Sequence, residues 1–152
     1  MKSLKGIICL TLIFAMVFTL CGCSKDVITG EQFQEEVQSK GFIVDSSSGN
    51  IISNATSGYR AVKDGSAMIV TFWTFENDED ASKAYESMYN PAEGDDQDLP
   101  GTVLEGDNYV KYTTESTEDY SLLSRVGNTL LYAGGDIAEK DTIKDIAESL
   151  GY

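Results

Sequence analysis

The sequence predicts an α+β fold in which helices are packed on one face of an antiparallel sheet. Three segments have apolar residues at helical spacing, and capping residues lie at their ends. Between them are runs that alternate in polarity and are separated by turn residues, the pattern of antiparallel strands. A chain of 152 residues, 41% of them hydrophobic, can form one such domain with its own core.

The three predicted helices each present one apolar face. They cover about 30–40, 77–90 and 138–150, and Thr29 can cap the first of them. A glycine follows the first and the last helix and can turn the chain so that the next aromatic residue folds back. The expected buried faces are formed by Phe33 and Val37, by Ala81, Ala84, Tyr85 and Met88, and by Ile143, Ile146, Ala147 and Leu150.

The strands are predicted from β-branched and aromatic runs between turn signals. A short strand at 42–45 is followed by a segment, 46–58, that is expected to be mostly loop. The run "YRAVKDGSAMIVTFWTF" predicts a hairpin in which Asp64-Gly65 forms a type I′ turn. Three further strands are expected at about 108–115, 119–126 and 128–134.

Two parts of the sequence align without a gap when the chain is shifted by 62 residues. Gly65 then falls on Gly127, and the apolar face of the second helix falls on that of the third. This period suggests two strand–turn–strand–helix repeats. The alternative is that any hairpin followed by an amphipathic helix would align in this way.

The first 22 residues differ in composition from the rest of the chain. Lys2 and Lys5 precede the apolar run "GIICLTLIFAMVFTL", and the small residue Gly22 follows it closely. This order is typical of a secretory signal peptide, and the run is shorter than the roughly 20 apolar residues of a membrane span. An uncleaved N-terminal anchor helix is the alternative.

The sequence "LCGC", at 20–23, resembles the lipobox of bacterial lipoproteins, and the chain looks like a small lipoprotein of Gram-positive bacteria. The resemblance covers only the signal segment. It implies a signal peptide at 1–22, a lipidated tether at 23–29 and a single α+β domain at 30–152. Cys23 would carry a diacylglycerol on its sulfur and attach the protein to the cell membrane on the extracytoplasmic side, because two acyl chains give firm attachment.

Composition argues against several kinds of chemistry. The net charge of −14 repels phosphate backbones, so no nucleic-acid partner is expected. The chain has no histidine, and Cys23 would be the one cysteine left after cleavage, with its thiol alkylated; zinc and other cofactors are therefore not expected. No serine-hydrolase motif and no phosphate-binding loop of the GxxxxGK type occurs, and we expect no enzyme.

The acidic run in "AEGDDQDLPG" suggests a calcium site, because four carboxylates lie close together in sequence and hard oxygens suit that ion. Their spacing does not match an EF-hand loop. A solvated acidic linker is the preferred interpretation, and no metal site is expected. The four residues are Glu93, Asp95, Asp96 and Asp98.

The strands also predict a possible binding face. In "MIVTFWTF" the alternate set that ends with Trp73 and Phe75 is too apolar for a solvated sheet face. Aromatic and arginine side chains dominate binding surfaces, and the face would suit a peptide, a glycan or a partner protein. The alternative is that the 46–58 loop or the N-terminal helix covers it. The candidate residues are Trp73, Phe75, Tyr109, Lys111 and Arg125.

These features predict a lipid-anchored, extracytoplasmic binding module for a protein, peptide or envelope polymer. An accessory lipoprotein, such as an inhibitor or assembly factor of a membrane complex, is the alternative. An acid-dependent enzyme, with paired carboxylates, is the third hypothesis. An exposed Trp73 would favour the first, an exposed apolar helix face the second, and a deep cleft with convergent acids the third.

Overall fold

The computed structural model describes residues 24–46, 52–89 and 101–152, which form the predicted α+β fold. The signal segment, Cys23 and nearly all of the acidic linker lie outside these residues. In chain order the elements are α1 (Gly30–Ser39), β1 (Ile43–Asp45), β2 (Ala55–Val62), β3 (Ile69–Phe75), α2 (Asp78–Tyr89), β4 (Thr102–Glu105), β5 (Tyr109–Glu115), β6 (Asp119–Val126), β7 (Thr129–Asp136), a 3₁₀ helix (Ile137–Glu139) and α3 (Lys140–Ser149).

The described strands form one antiparallel sheet in the order β1-β2-β3-β7-β6-β5-β4. Its centre is the β3–β7 pair, where Val70 lies opposite Ala133 and Phe72 lies opposite Leu131. The two hairpins β2–β3 and β6–β7 therefore meet in the middle of the sheet. β1 and β4 are its edges.

Helices cover both faces of the sheet. On one face, which we call face A, α1 packs on β1, β2 and β3, and α3 packs on β6 and β7. On the other, face B, α2 packs on β3, β6 and β7. The prediction that all helices share one face is therefore wrong for α2. The physical reason lies in β3 and β7, because their side chains are apolar on both sides and require cover on both. Face A buries Phe33, Val70, Phe72, Leu122, Leu131 and Ile143, and face B buries Trp73, Phe75, Ala81, Ala84, Leu123 and Leu130.

Both predicted strand–turn–strand–helix units are present, as β2-β3-α2 and β6-β7-α3. They meet through an antiparallel strand pair, and a two-fold rotation perpendicular to the sheet would keep both helices on the same face. Because α2 and α3 lie on opposite faces, that rotation does not relate the two units. The 62-residue period therefore reflects a shared pattern of hairpin and amphipathic helix, not two superposable copies.

The ends of α1 confirm the predicted capping. The side chain of Thr29 accepts from the N–H of Gln32 at 3.2 Å, and the side chain of Gln32 accepts from the N–H of Thr29 at 2.8 Å. Gly41 has a φ of +85°, and the N–H of Phe42 then donates to the carbonyl of Val37 at 3.1 Å. Phe42 is thereby folded back into the core, as expected.

Local predictions failed where a turn was longer than expected. The β2–β3 connection spans 63–68, and of its residues Gly65 alone has a positive φ, +73°. A type I′ turn needs positive φ at two positions. The predicted type I′ turn is therefore wrong.

Two strands and one side chain also differ from the prediction. β2 begins at Ala55, inside the segment predicted to be loop, and β4 was not predicted at all. Met88 is 39% exposed, so it lies outside the buried face of α2.

The segment before α1 is docked on the sheet. The N–H of Lys25 donates to Oδ1 of Asn108 at 2.8 Å, and Nδ2 of Asn108 donates to the carbonyl of Lys25 at 2.7 Å. The ammonium of Lys25 lies 4.9 Å from the centre of the Tyr109 ring. Lys25, within the predicted tether, is therefore held against the start of β5.

Candidate ligand-binding groove

The five residues predicted to form one binding face lie on two faces. Trp73, Phe75 and Arg125 are on face B, whereas Tyr109 and Lys111 point to face A. Trp73 and Phe75 are only 4% and 2% exposed, because α2 covers them, so the exposed Trp73 that would favour a binding module is not observed. The predicted open face is thus closed, mainly by α2, which was not expected in that role. Ile52 and Ala55 of the 46–58 segment also pack against this cluster, whereas α1 lies on face A.

The polar members of the set have structural contacts. Nη1 of Arg125 donates to the carbonyl of Gly127 at 3.2 Å. Nζ of Lys111 donates to the main-chain oxygen of Tyr152 at 2.8 Å, and burial lowers the pKa of Lys111. These contacts stabilise the turn after β6 and the chain after α3.

A groove opens on face B beside α2, over the β2–β3 half of the sheet. Its volume of about 640 Å³ is within the range of small-ligand sites, roughly 300–1,000 Å³. β2 and β3 supply the floor, α2 supplies a wall, and residues 52–54 complete the lining. The lining includes Ile52, Arg60, Ile69, Thr71, Trp73, Asp80, Lys83, Ala84 and Met88.

Two nitrogen donors in this groove are buried and have no hydrogen-bond partner among the described residues. They are Nε of Arg60 and Nε1 of Trp73. Arg60 lies opposite Thr71 in the β2–β3 register, so Trp73 is its diagonal neighbour on the same face. Diagonal neighbours are about 7–8 Å apart, within reach of long side chains. Because buried donors are nearly always paired, both nitrogens are expected to have an acceptor when the site is filled.

Arg60 also differs from the other charged groups in the groove lining. Lys83 forms an ion pair with Glu79 at 2.7 Å, and the carboxylate of Asp80 accepts from Nδ2 of Asn77 at 3.1 Å. Among the described residues, no ion pair within 4 Å includes Arg60; Asp45, which has an interaction of its own, lies opposite it on β1. Nε of Arg60 is therefore a donor that a ligand could satisfy.

A smaller pocket of about 370 Å³ lies where α2 faces β4, β5 and β6. It is lined by Tyr85, Tyr89, Glu105 and Arg125, among others. The hydroxyl group of Tyr85 is buried without a hydrogen-bond partner in the described structure. Burial is the main reason that the pKa of Tyr85 is raised, to about 12.

Sequence reasoning selected Trp73 but missed Arg60. A signal was present, because Arg60 is a lone charge inside the strand-like run "YRAV" and alternates with Ala61, which is fully buried. The position of α2 had no comparable signal. Without it, the groove between helix and sheet could not be predicted.

Residues 24–46, 52–89 and 101–152 contain no group of three or more acidic or cysteine side chains placed to hold a metal ion. The predicted acidic linker, Glu93 to Asp98, lies outside them. No helix in the same ranges has the length and apolar character needed to cross a bilayer.

Sheet, helices and groove together define a small α+β domain with a ligand-sized cleft. Its fold is similar to that of a GTP-binding regulator from Thermotoga maritima, with a TM-score of 0.52 at 12% sequence identity. The match covers 82% of this chain and 88% of the other. At this identity, the likeness is one of fold. No family model and no curated protein matches the chain.

Proposed function

We propose that the protein is a lipid-anchored binding module that acts outside the cytoplasmic membrane and takes its ligand in the groove beside α2. The observation that carries the proposal is the pair of buried donors, on Arg60 and Trp73, that lack an acceptor within the described residues. A bound protein, peptide or envelope polymer would supply that acceptor. Ile52, Ile69 and Met88 would contact its apolar groups.

The anchor is proposed from the lipobox resemblance at Cys23. Docking of Lys25 on Asn108 leaves Ser24 as the single residue between Cys23 and the docked segment. Two residues extend at most about 7 Å, so a lipid on Cys23 would hold the Asn108 end of the sheet close to the bilayer. The chain would then be positioned by contact with the domain as well as by the lipid.

Intact mass of the membrane-extracted protein tests the anchor. We expect a mature chain that begins at Cys23 and carries the added mass of a diacylglycerol. Cys23→Ala should release the protein or leave an uncleaved precursor. A mature N-terminus at any other residue would contradict the proposal.

Affinity capture from envelope extract, with the membrane-anchored protein as bait, tests the groove. Ile69→Glu places a charge on the groove floor, and Val103→Glu places the same charge on the exposed edge strand β4. We expect material retained by the parent to be lost with Ile69→Glu and kept with Val103→Glu. Equal retention by all three proteins would exclude the groove as the site.

The accessory-lipoprotein hypothesis is supported by a different observation. β4 is a sheet edge on which Val103 and Leu104 are 41% and 56% exposed. An exposed apolar edge can pair with a strand of another protein. A partner lost with Val103→Glu but kept with Ile69→Glu would therefore favour that role.

GTP binding and catalysis are not proposed. The fold neighbour is described as a GTP-binding regulator, but a match at 12% identity transfers only the fold. This chain has no GxxxxGK loop to hold phosphates. Asp80 is the one carboxylate in the described groove lining, so paired acids of a glycosidase do not converge there.

A further inference from the structure

We infer that the groove selects a ligand with one carboxylate beside an apolar group, and that Arg60 and Trp73 hold the carboxylate. The inference rests on the proposed function, because it names the chemistry of the ligand for the same groove. Its evidence is the kind, number and charge of the unpaired donors.

The unpaired groups at the groove floor are donors that cannot accept a hydrogen bond. Nε of Arg60 and Nε1 of Trp73 are the two unpaired nitrogens, and both require acceptor oxygens. Arg60 is half-buried and carries a full positive charge without an ion pair among the described residues. An anionic oxygen satisfies both the hydrogen bonds and the charge, and such charge-assisted bonds are about twice as strong as neutral ones.

The charge balance favours a carboxylate over a phosphate. Arg60 supplies one unpaired positive charge, whereas Lys83 is exposed and already paired with Glu79. Two carboxylates lie near this charge, Asp80 in the groove lining and Asp45 opposite Arg60 on β1, so a phosphate dianion would be repelled more strongly than a carboxylate monoanion. The guanidinium fork also matches the two oxygens of a carboxylate.

The rest of the lining is apolar and suits the part of the ligand next to the carboxylate. Ile52, Ile69 and Met88 line the groove together with Ala84. Two sources share this chemistry: the C-terminal residue of a peptide with an apolar side chain, and a free apolar carboxylic acid. The probes below distinguish them.

Trp73 makes the test direct, because it is the only tryptophan in the chain. The ¹H–¹⁵N spectrum of the full domain therefore has a single indole N–H signal, and it reports on the groove floor. The probes are N-acetyl-Ala-Ala-Leu with a free C-terminus, the same peptide with a C-terminal amide, octanoate, and inorganic phosphate. We expect saturable movement of the indole signal with one or both of the carboxylates and none with the amide or phosphate.

Matched variants test the role of the charge. Arg60→Gln should weaken carboxylate binding by about tenfold or more, the range for a lost hydrogen bond to a charged group. Arg125→Gln changes the only other arginine, on the same face but outside the groove, and should bind as the parent does. Equal binding of acid and amide by the parent protein would overturn the inference, whether or not the variants fold.

The outcomes separate this inference from the proposed function. If no carboxylate probe moves the indole signal while envelope material is still lost with Ile69→Glu, the ligand chemistry is wrong and the groove is still the site. If phosphate saturates the signal and the carboxylates do not, the ligand is a phosphate and the inference is overturned. Binding of the peptide but not of octanoate would identify a peptide C-terminus as the source.

Discussion

The hydroxyl groups of Tyr152 and Thr129 form a hydrogen bond in the interior of the domain. Gly151, with a φ of +81°, turns the chain after α3, and the N–H of Tyr152 donates to the carbonyl of Ala147 at 2.7 Å. The Tyr152 ring then packs edge-on against Phe72, with 6.4 Å between ring centres. The residue after the helix cap is therefore a core residue that joins α3 to β7 and β3.

Tyr152→Phe should destabilise the domain by about 1 kcal/mol, because it removes a buried hydrogen bond and keeps the ring. Thr129 would retain its bond to the carbonyl of Val126, at 2.6 Å, so its hydroxyl would not be left without a partner. Urea denaturation at neutral pH measures the difference. A loss above about 3 kcal/mol would mean that the ring packing itself had changed.

The same pair predicts a pH dependence. Burial raises the pKa of Tyr152 above its ordinary value of 10.0. In the folded state the Tyr152 hydroxyl keeps its proton above pH 10, whereas in the unfolded chain it loses it. The contribution of Tyr152 to the free energy of unfolding is therefore complete below pH 10 and declines as the pH rises further. Tyr152→Phe lacks this contribution, so the difference in free energy of unfolding between the parent and the variant should narrow above about pH 10.

The lowered pKa of Lys111 has the opposite effect on stability. The folded protein loses the Lys111 proton at a lower pH than the unfolded chain does, so the free energy of unfolding increases as the pH rises towards 10.5. Both proteins contain Lys111, and the comparison cancels its effect. A gap that stayed constant from about pH 8 to about pH 11 would show that Tyr152 titrates normally in the folded state.

Tyr85→Phe should have the opposite outcome to Tyr152→Phe. The Tyr85 hydroxyl is buried without a partner in the described structure, and its ring stacks on Tyr89 with 5.6 Å between centres. Removal of an unsatisfied buried hydroxyl relieves a desolvation cost, so the free energy of unfolding should stay equal or increase by about 1 kcal/mol. Thermal unfolding of both variants beside the parent measures this. A clear destabilisation would reveal an acceptor for Tyr85.

What could be predicted from the sequence depended on local signals. Thr29, Gly41 and Gly151 mark helix ends by chemistry that acts over a few residues, and the structure agrees with all three. The face of α2 depends on how the chain crosses the sheet after β3. Phe72 and Trp73 are both apolar and point to opposite faces, so the sequence pattern requires that both faces of the sheet be covered. The pattern does not indicate which helix covers which face.

The candidate site was harder to predict because it depends on register. The adjacency of Arg60 and Trp73 is set by the pairing of β2 with β3, which in turn follows from the length of the 63–68 connection. A two-residue turn would have given a different register. Likewise, the alternation within each strand is correct for Tyr109 and for Trp73, but only the pairing between strands shows that the two residues lie on opposite faces.

Leu150→Ala should cost about 2–5 kcal/mol, the range for truncation of a buried leucine. Leu150 is 3% exposed and lies in the face A core at the end of α3. Asp145→Ala, on the exposed side of the same helix, is the control and should change stability by about 0.5 kcal/mol or less. Lys140 is a poorer control, because its ammonium pairs with Glu115 at 2.5 Å. Equal urea midpoints for both variants would mean that α3 is not packed.

Asn108→Ala should free the segment that precedes α1. The Asn108 side chain makes both hydrogen bonds to the backbone of Lys25, one as acceptor and one as donor. A protease must bind its substrate as an extended, undocked chain, so trypsin cleavage after Lys25 should be slow in the parent protein and roughly tenfold or more faster in the variant. Mass spectrometry of the products follows the rate.

The neighbouring exposed residue Asp107 supplies the control for this experiment. Asp107→Ala removes a charge beside the docked segment but none of its hydrogen bonds, and the cleavage rate should equal that of the parent. Global stability should change little in either variant, since α1 retains its own cap at Thr29. If Asn108→Ala were cleaved no faster than the parent, other contacts would hold Lys25 in place. Faster cleavage would mean that Asn108 holds Lys25 against the domain, since a freed segment of 24–29 could extend by about 20 Å.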